Sequence, residues 1–134
     1  MRRRLAGAAA FIVFILVDSA TAACSPGLEP VQTARLIFGR DIGTTVGVTR
    51  SAWRTFLARE VTPRFPGGFT VQDAAGQWRG KDGRLVREPS KLLLIVLSGA
   101  SGETDKLAAI RSAYKTRFHQ DAVLLIEDSA CAAF

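Results

Sequence analysis

The sequence has few of the residues from which metal and cofactor sites are built. Its 134 residues include two cysteines and one histidine, and no Cys-x-x-Cys pair occurs. This set does not complete a four-ligand zinc site. Gly39, Gly43 and Gly47 match neither the phosphate-loop nor the dinucleotide-binding spacing. We therefore expect no metal and no cofactor.

The sequence also lacks an apolar run long enough to span a bilayer. Residues 5–17 are 13 apolar residues, about 20 Å of helix, whereas a bilayer core needs about 20 residues. Three arginines precede this run and the small residues 19–22 follow it, a pattern typical of a secretory signal peptide. We predict cleavage after Ala22, with Ala23 as the alternative. The product would be periplasmic or secreted, without a stable membrane anchor.

The charges do not form a block. Without its first 22 residues the chain keeps 15 of its 18 basic side chains and 11 of its 12 acidic ones, a net charge of +4. These charges are spread along the chain, as on a solvated basic surface. No basic cluster interleaved with aromatic residues occurs, so we do not expect nucleic acid as a partner.

Cys24 and Cys131 lie near the two ends of the exported chain. An even number of cysteines in an exported protein favours a disulfide, and we predict that these two form one. The alternative is a lipoprotein with Cys24 as its lipidated first residue. Thr21 stands where such a signal usually has leucine, and lipidation would leave Cys131 without a partner.

Strand and helix patterns alternate along the chain and predict its architecture. Residues 34–39, 69–72, 92–97 and 122–126 are the strands, and two helices have apolar residues three or four positions apart, on one face. These are Trp53, Phe56, Leu57 and Val61, and then Leu107, Ile110, Tyr114 and Phe118. Thr49 or Ser51 would cap the first helix, which ends before Pro63. Thr104 would cap the second helix. The order β-α-β-β-α-β predicts a ferredoxin-like α+β fold, an antiparallel sheet with two helices on one face.

This order divides the chain into a signal peptide (1–22), an N-terminal extension (23–33) and a single domain (34–134). In the predicted topology the first and last strands are antiparallel neighbours. Cys24, which precedes the first strand, and Cys131, which follows the last, therefore fall at the same edge and can reach each other.

The central strands are predicted to form a long, bent hairpin around Asp82-Gly83, the strongest turn signal in the chain. A two-residue turn there gives the pairs Arg79–Val86, Trp78–Arg87 and Gln77–Glu88. We expect a bulge within residues 73–76, because Gly76 then falls opposite Pro89.

Several ordered strings resemble a family of bacterial exported proteins, domain-of-unknown-function family 3574. The strings are RFPGGFTV at residues 64–71, GQWR at 76–79, EPSK at 88–91 and YKxRFxQ at 114–120. The resemblance extends over residues 34–126. It implies export and a single small domain, and it carries no activity or catalytic residue to this chain.

The predicted hairpin supplies the candidate ligand-binding residues Gln77, Trp78, Arg79 and Glu88. In the predicted register Gln77 and Arg79 share a face with Glu88, where they would hold a small polar ligand through charge-assisted hydrogen bonds. The same residues also suit a cross-strand salt bridge that stabilises the register. Trp78, opposite Arg87, would be either a stacking platform or half of a cation–π pair.

No nucleophile–base pair is visible, since His119, the only histidine, lies at the end of the second helix without a fixed partner. The first functional hypothesis is therefore a non-catalytic periplasmic binding or interaction domain. The alternative is a small enzyme of the dimeric α+β-barrel kind that acts on a small organic molecule, by analogy of fold. A structural envelope protein is a third possibility, with an envelope-protein partner instead of a ligand.

The predicted sheet leaves one apolar face without helices. Residues 36–38, 92–97 and 123–126 are apolar on both faces, whereas the helices cover only one. An exposed apolar face usually marks an interface or a ligand site. We expect it to be covered by a second subunit, as in a homodimer, or by the bent ribbon of residues 77–87.

Overall fold

A computed structural model describes residues 24–134. The predicted signal peptide and both predicted cleavage sites lie outside these residues. The elements are β1 (Glu29–Gly39), β2 (Asp41–Ile42), β3 (Thr45–Val46), α1 (Arg50–Phe56), β4 (Thr70–Arg79), β5 (Leu85–Leu97), α2 (Glu103–Phe118) and β6 (Leu124–Ala132). A π-helical segment, Leu57–Val61, continues α1. Within residues 24–134, no helix is long and apolar enough to cross a membrane.

The four long strands form one antiparallel sheet in the order β4-β5-β1-β6. In the middle of this sheet, Leu36 of β1 pairs with Leu93 of β5 and with Leu125 of β6. With α1 between β1 and β4 and α2 between β5 and β6, the topology is β-α-β-β-α-β, and the predicted ferredoxin-like class is confirmed. The short strands β2 and β3 form a separate hairpin where the sequence predicts a loop.

The helices cover one face of the sheet, as predicted. Alternation along the strands directs Leu36 and Phe38 of β1 and Leu93 and Ile95 of β5 into the core. The predicted stripe of α2 is buried against them completely, and that of α1 is buried except for the partly buried Leu57. Thr49 caps α1 as predicted. The N-cap of α2 is Gly102, two residues before the predicted cap Thr104.

An aromatic cluster joins the helices to the end of β1. The ring of Tyr114 lies 4.7 Å from that of Phe38 and 5.0 Å from that of Phe56, both in edge-on geometry. Such pairs contribute about 0.5–1.5 kcal/mol each beyond the area that they bury. The Tyr114 hydroxyl donates a 2.7 Å hydrogen bond to the carbonyl of Gly39, and burial raises the pKa of Tyr114, which keeps this donor protonated. The last residue of β1 is therefore held against α2.

The hairpin between β4 and β5 has a three-residue loop instead of the predicted two-residue turn. Gly83 N–H donates to the Gly80 carbonyl (2.9 Å), Gly80 N–H donates to the Arg84 carbonyl (2.8 Å), and Gly83 has a φ of +79°. A left-handed glycine at the third position is what such a loop requires. The strands then pair without a bulge from Thr70–Leu94 to Arg79–Leu85. The predicted register is wrong by one residue, and the predicted bulge at 73–76 is absent.

The termini of the described chain meet at the edge of the sheet. β1 and β6 pair as far as Glu29 and Ala132, so that Cys131 lies within β6, opposite Pro30, and not beyond the strand as predicted. Cys24 precedes a tight turn and forms a disulfide with Cys131, with the two Cα atoms 5.7 Å apart. The predicted disulfide is confirmed.

Candidate functional site

A cleft of about 680 Å³ lies at one end of the sheet face that the helices leave uncovered. We call this face, with Ile37, Leu92, Leu94, Val96 and Leu124, the open face. One wall of the cleft is the hairpin of β4 and β5. The other side is formed by the β2–β3 hairpin and by the turn that follows α2. We call it the Glu88 cleft, after the carboxylate at its base.

Glu88 is the buried acid of this cleft, with 7% of its surface exposed. One carboxylate oxygen, Oε2, accepts a 3.0 Å hydrogen bond from the backbone N–H of Asp41. Burial raises the pKa of Glu88; the Asp41 N–H opposes this shift, and the Asp41 carboxylate adds to it. Among residues 24–134, no side chain donates a hydrogen bond or forms an ion pair with Glu88.

Two polar side-chain atoms beside Glu88 are buried without a partner. Ser90 Oγ and Asp41 Oδ1 have no hydrogen bond within residues 24–134, and Ser90 is only 2% exposed. Both residues line the cleft. Leaving such an atom unsatisfied costs about 1–3 kcal/mol, so buried polar atoms of this kind require an explanation.

Trp78 forms part of the hairpin wall, with 43% of its surface exposed. A Cβ at position 76 would lie 2.9 Å from Cζ3 of its indole and 3.2 Å from Ser90 Oγ. Gly76 therefore lets the indole lie close over the strand, next to Ser90. The result is an aromatic surface beside the buried polar groups.

The turn after α2 completes the cleft. His119 caps α2 in the left-handed conformation, with a φ of +52°, and is the only described residue other than glycine with a positive φ. It also lines the cleft. Gln120 Nε2 donates a 2.6 Å hydrogen bond to the Asp41 carbonyl and so ties this turn to β2. Lys81, at the tip of the β4–β5 hairpin, lies 3.6 Å from Asp121. Because both side chains are exposed, this ion pair is weak.

The structure separates Arg79 from the other three predicted ligand-binding residues. Gln77, Trp78 and Glu88 line the cleft, whereas Arg79 does not. With the register shifted by one, Glu88 pairs with Gly76 and lies on the opposite face of the ribbon from the side chains of Gln77 and Arg79. The predicted grouping of Gln77, Arg79 and Glu88 on one face is therefore wrong.

The predicted partners of these residues change for the same reason. Arg79 donates to the Gly83 carbonyl in the hairpin loop (2.8 Å). Trp78 pairs with Val86, and Arg87 donates to Gln77 Oε1 (2.8 Å) on the other face. The predicted Trp78–Arg87 cation–π pair and the Arg79–Glu88 salt bridge are therefore both absent from the described chain.

Sequence reasoning missed Ser90, Asp41, Gly39 and Gln120. One signal could have pointed to some of them, because three of the strings that carry the family resemblance meet in the cleft. They contribute Gly76, Glu88, Ser90 and Gln120. Nothing in the local sequence pattern singles out Gly39 or Asp41.

A second cleft, of about 700 Å³, lies beside residues 64–70 and the end of β5. Arg64, in its wall, already binds Glu60 through a 2.9 Å ion pair and a 2.7 Å hydrogen bond to the Glu60 carbonyl. No buried polar side chain in the described residues lacks a partner there. The Glu88 cleft is therefore the stronger candidate.

Fold and cleft together define a two-layer α+β protein with a desolvated carboxylate at the end of an open sheet face. The family model described as "Protein of unknown function (DUF3574)" matches residues 33–134. The chain belongs to this family, as its sequence motifs indicate. A search of curated proteins finds no match.

Solved structures share the fold at low sequence identity. A phage SAM lyase is 20% identical, both in complex with S-methyl-5'-thioadenosine (TM-score 0.61, covering 87% of this chain and 97% of the lyase chain) and in the apo state (TM-score 0.57, covering 78% and 90%). CutA from Synechococcus elongatus is 8% identical, with a TM-score of 0.50, covering 78% of this chain and 80% of CutA. Such identities show a common fold and no more.

Proposed function

We propose that this protein is an exported binding domain whose ligand is a small organic molecule held in the Glu88 cleft. The observation that carries the proposal is that, within the described residues, Ser90 Oγ and Asp41 Oδ1 are buried in the cleft lining without a hydrogen-bond partner, beside the buried Glu88 carboxylate, which accepts only from the Asp41 N–H. A volume of about 680 Å³ falls in the range of small-molecule sites, which is about 300–1,000 Å³. A bound ligand would satisfy these atoms.

Export remains part of the proposal. The Cys24–Cys131 disulfide supports it, because stable disulfides are typical of oxidising compartments. In a bacterial lipoprotein the lipid is attached to the cysteine sulfur, and here the Cys24 sulfur is bound to Cys131. The disulfide therefore favours a signal peptide cleaved without lipidation.

An enzyme is the alternative, and one observation favours it. A carboxylate in a cleft whose pKa is raised by burial is suited to donate or accept a proton. His119 lines the same cleft. Because the fold is shared with a SAM lyase, S-adenosylmethionine and S-methyl-5'-thioadenosine are reasonable first compounds to test alongside general metabolites.

The test is a thermal-shift screen of metabolites, followed by calorimetry and a turnover assay for every hit. The variants are Glu88→Gln, Trp78→Ala and the control Glu127→Gln, which removes an exposed carboxylate on β6, outside the cleft. We expect ligand binding that Glu88→Gln and Trp78→Ala weaken and Glu127→Gln preserves.

Turnover of a hit that is lost in Glu88→Gln would replace the binding-domain proposal with the enzyme. Hits that bind equally well to the Glu88 and Trp78 variants would rule out this cleft. A chain that binds no metabolite but is purified with an envelope protein would instead support the structural role.

A further inference from the structure

We propose that the Glu88 cleft selects organic cations: a positively charged group beside the Glu88 carboxylate, joined to a flat apolar part that lies on Trp78. This inference rests on the proposed function, and it adds the class of ligand. Its basis is the distribution of charge around the cleft together with the buried atoms that lack a partner.

The cleft is acidic although the chain is basic. Its lining includes three carboxylates, Glu88, Asp41 and Asp121, and no lysine or arginine, whereas the whole chain has a net charge of +6. A cleft lined by one sign of charge concentrates ligands of the opposite sign. The charge alone would not define a site, but here it coincides with Ser90, which is 2% exposed and has no partner.

The nearby cations are engaged elsewhere. Arg40 donates Nε and Nη2 to the Val48 carbonyl, at 2.9 and 2.8 Å. Lys91 forms its ion pair with Asp73, and alternation along β5 places its side chain on the opposite face from Glu88. Lys81 faces Asp121 at the rim, in solvent. A buried charge is costly unless it is paired. A cationic ligand would therefore supply the positive partner that the buried Glu88 carboxylate lacks.

The indole of Trp78 provides a second contact surface for a cation. Its partly exposed indole borders the cleft, and Gly76 leaves room for it close to Ser90. The face of an indole attracts cations and stacks on planar groups. Within residues 24–134, no three His, Cys, Asp or Glu side chains are arranged so that they could hold a metal ion together, so a bare metal ion is a poorer fit than an organic cation.

The test uses three flat probes of nearly equal shape and different charge: benzamidine (cation), benzamide (neutral) and benzoate (anion). The disulfide-bonded chain is titrated with each at neutral pH and followed by NMR and by tryptophan fluorescence. Trp53 is 3% exposed in the core, so a fluorescence change that disappears in Trp78→Phe locates the probe at Trp78.

We expect benzamidine to bind at least about tenfold more tightly than benzamide, because its amidinium can form a charge-assisted hydrogen bond with the Glu88 carboxylate. Benzoate, which is an anion, should not bind. Glu88→Gln keeps the shape and the acceptor for the Asp41 N–H but removes the charge. It should weaken benzamidine about tenfold without changing benzamide, while Glu127→Gln changes neither.

Equal binding of benzamide and benzamidine, or a preference for benzamidine that survives Glu88→Gln, would overturn the cation inference and leave a neutral-ligand site standing. If no probe and no metabolite binds to the cleft, the proposed function falls with it. A melting temperature of Glu88→Gln that is no lower than that of the wild type shows that lost binding does not reflect unfolding.

Discussion

The carboxylate of Glu88 occupies the space that a side chain at position 39 would need. A Cβ built on Gly39 would overlap Glu88 Oε1 and come within 2.7 Å of its Cδ. Gly39 is also the residue whose carbonyl accepts the hydrogen bond from Tyr114. The end of β1 is thus held by the aromatic core on one side and shaped to admit the cleft carboxylate on the other.

The first prediction concerns Gly39→Ala. The added methyl should push the Glu88 side chain away from the Asp41 N–H, so that benzamidine affinity falls about tenfold. Because the end of a flexible side chain moves while the backbone stays, the free energy of unfolding should fall by no more than about 1 kcal/mol. Titration and chemical denaturation measure the two effects.

Gly67→Ala is the matched control, since a Cβ at position 67 meets nothing within 4 Å and the residue has no positive φ. It should change neither affinity nor stability appreciably. Unchanged binding in Gly39→Ala would mean that the position of the Glu88 carboxylate does not matter to the ligand.

The second prediction is a stability trend with pH. Glu88 has a pKa above its ordinary 4.5 because of burial, so between 4.5 and the raised pKa the folded protein binds more protons than the unfolded chain. The free energy of unfolding of the wild type, relative to Glu88→Gln, should therefore fall as pH rises through this window and then level off.

Melting curves of both proteins across mildly acidic to neutral pH measure this difference. The groups around Glu88, which are Asp41, Tyr114, His119 and Asp121, are present in both proteins, so the comparison isolates the one carboxyl. A wild type that gains stability relative to Glu88→Gln as pH rises would show that Glu88 is stabilised in its charged form.

The third prediction concerns the disulfide, which joins residues 107 positions apart. In chain-entropy terms a loop of this length contributes up to about 4–5 kcal/mol, a large part of the stability of a small domain. Replacing both cysteines by serine should lower the melting temperature by roughly 10–20 °C.

Cys24→Ser alone should leave Cys131 reactive to a thiol probe in unfolded, unreduced protein. Wild-type cysteines that react without reductant, or a lipid on Cys24, would contradict the disulfide.

The fourth prediction is self-association through the open face. The β4–β5 hairpin covers only one end of this face, where Lys81 meets Asp121, and Leu124 and Val96 stay 54% and 40% exposed. Apolar surface of this kind favours burial in an interface. We expect a homodimer in sedimentation velocity and a monomer for Leu124→Lys.

Leu85→Lys is the control, because Leu85 is 47% exposed but lies on the other face of the hairpin. It should sediment like the wild type. A wild-type chain that is monomeric at every concentration would rule out the dimer.

The fifth prediction is export. The intact mass of protein recovered from the periplasm should show the loss of the first 22 residues, or of 23 by the alternative cleavage. A full-length product retained in the membrane would contradict it.

Much of the fold follows from local patterns in the sequence. The stripe from Leu107 to Phe118 is predicted correctly, because helical spacing places those residues on one face whatever they pack against. The strand order then follows from the topology, and with it the nearness of Cys24 and Cys131. These features depend on periodicity and on the number of elements, which the chain carries along its length.

The register of the β4–β5 hairpin and the composition of the cleft were decided only in three dimensions. Asp82-Gly83 suits a two-residue or a three-residue loop. The two-residue turn needs a positive φ at both residues, whereas of these two only Gly83 has one, and the resulting three-residue loop moves Glu88 to the face opposite Arg79. The cleft joins Gly39, Asp41, Glu88, Ser90 and Gln120 from segments far apart in sequence. No local pattern encodes such a meeting, because strand pairing and the docking of α2 against the end of β1 bring these residues together.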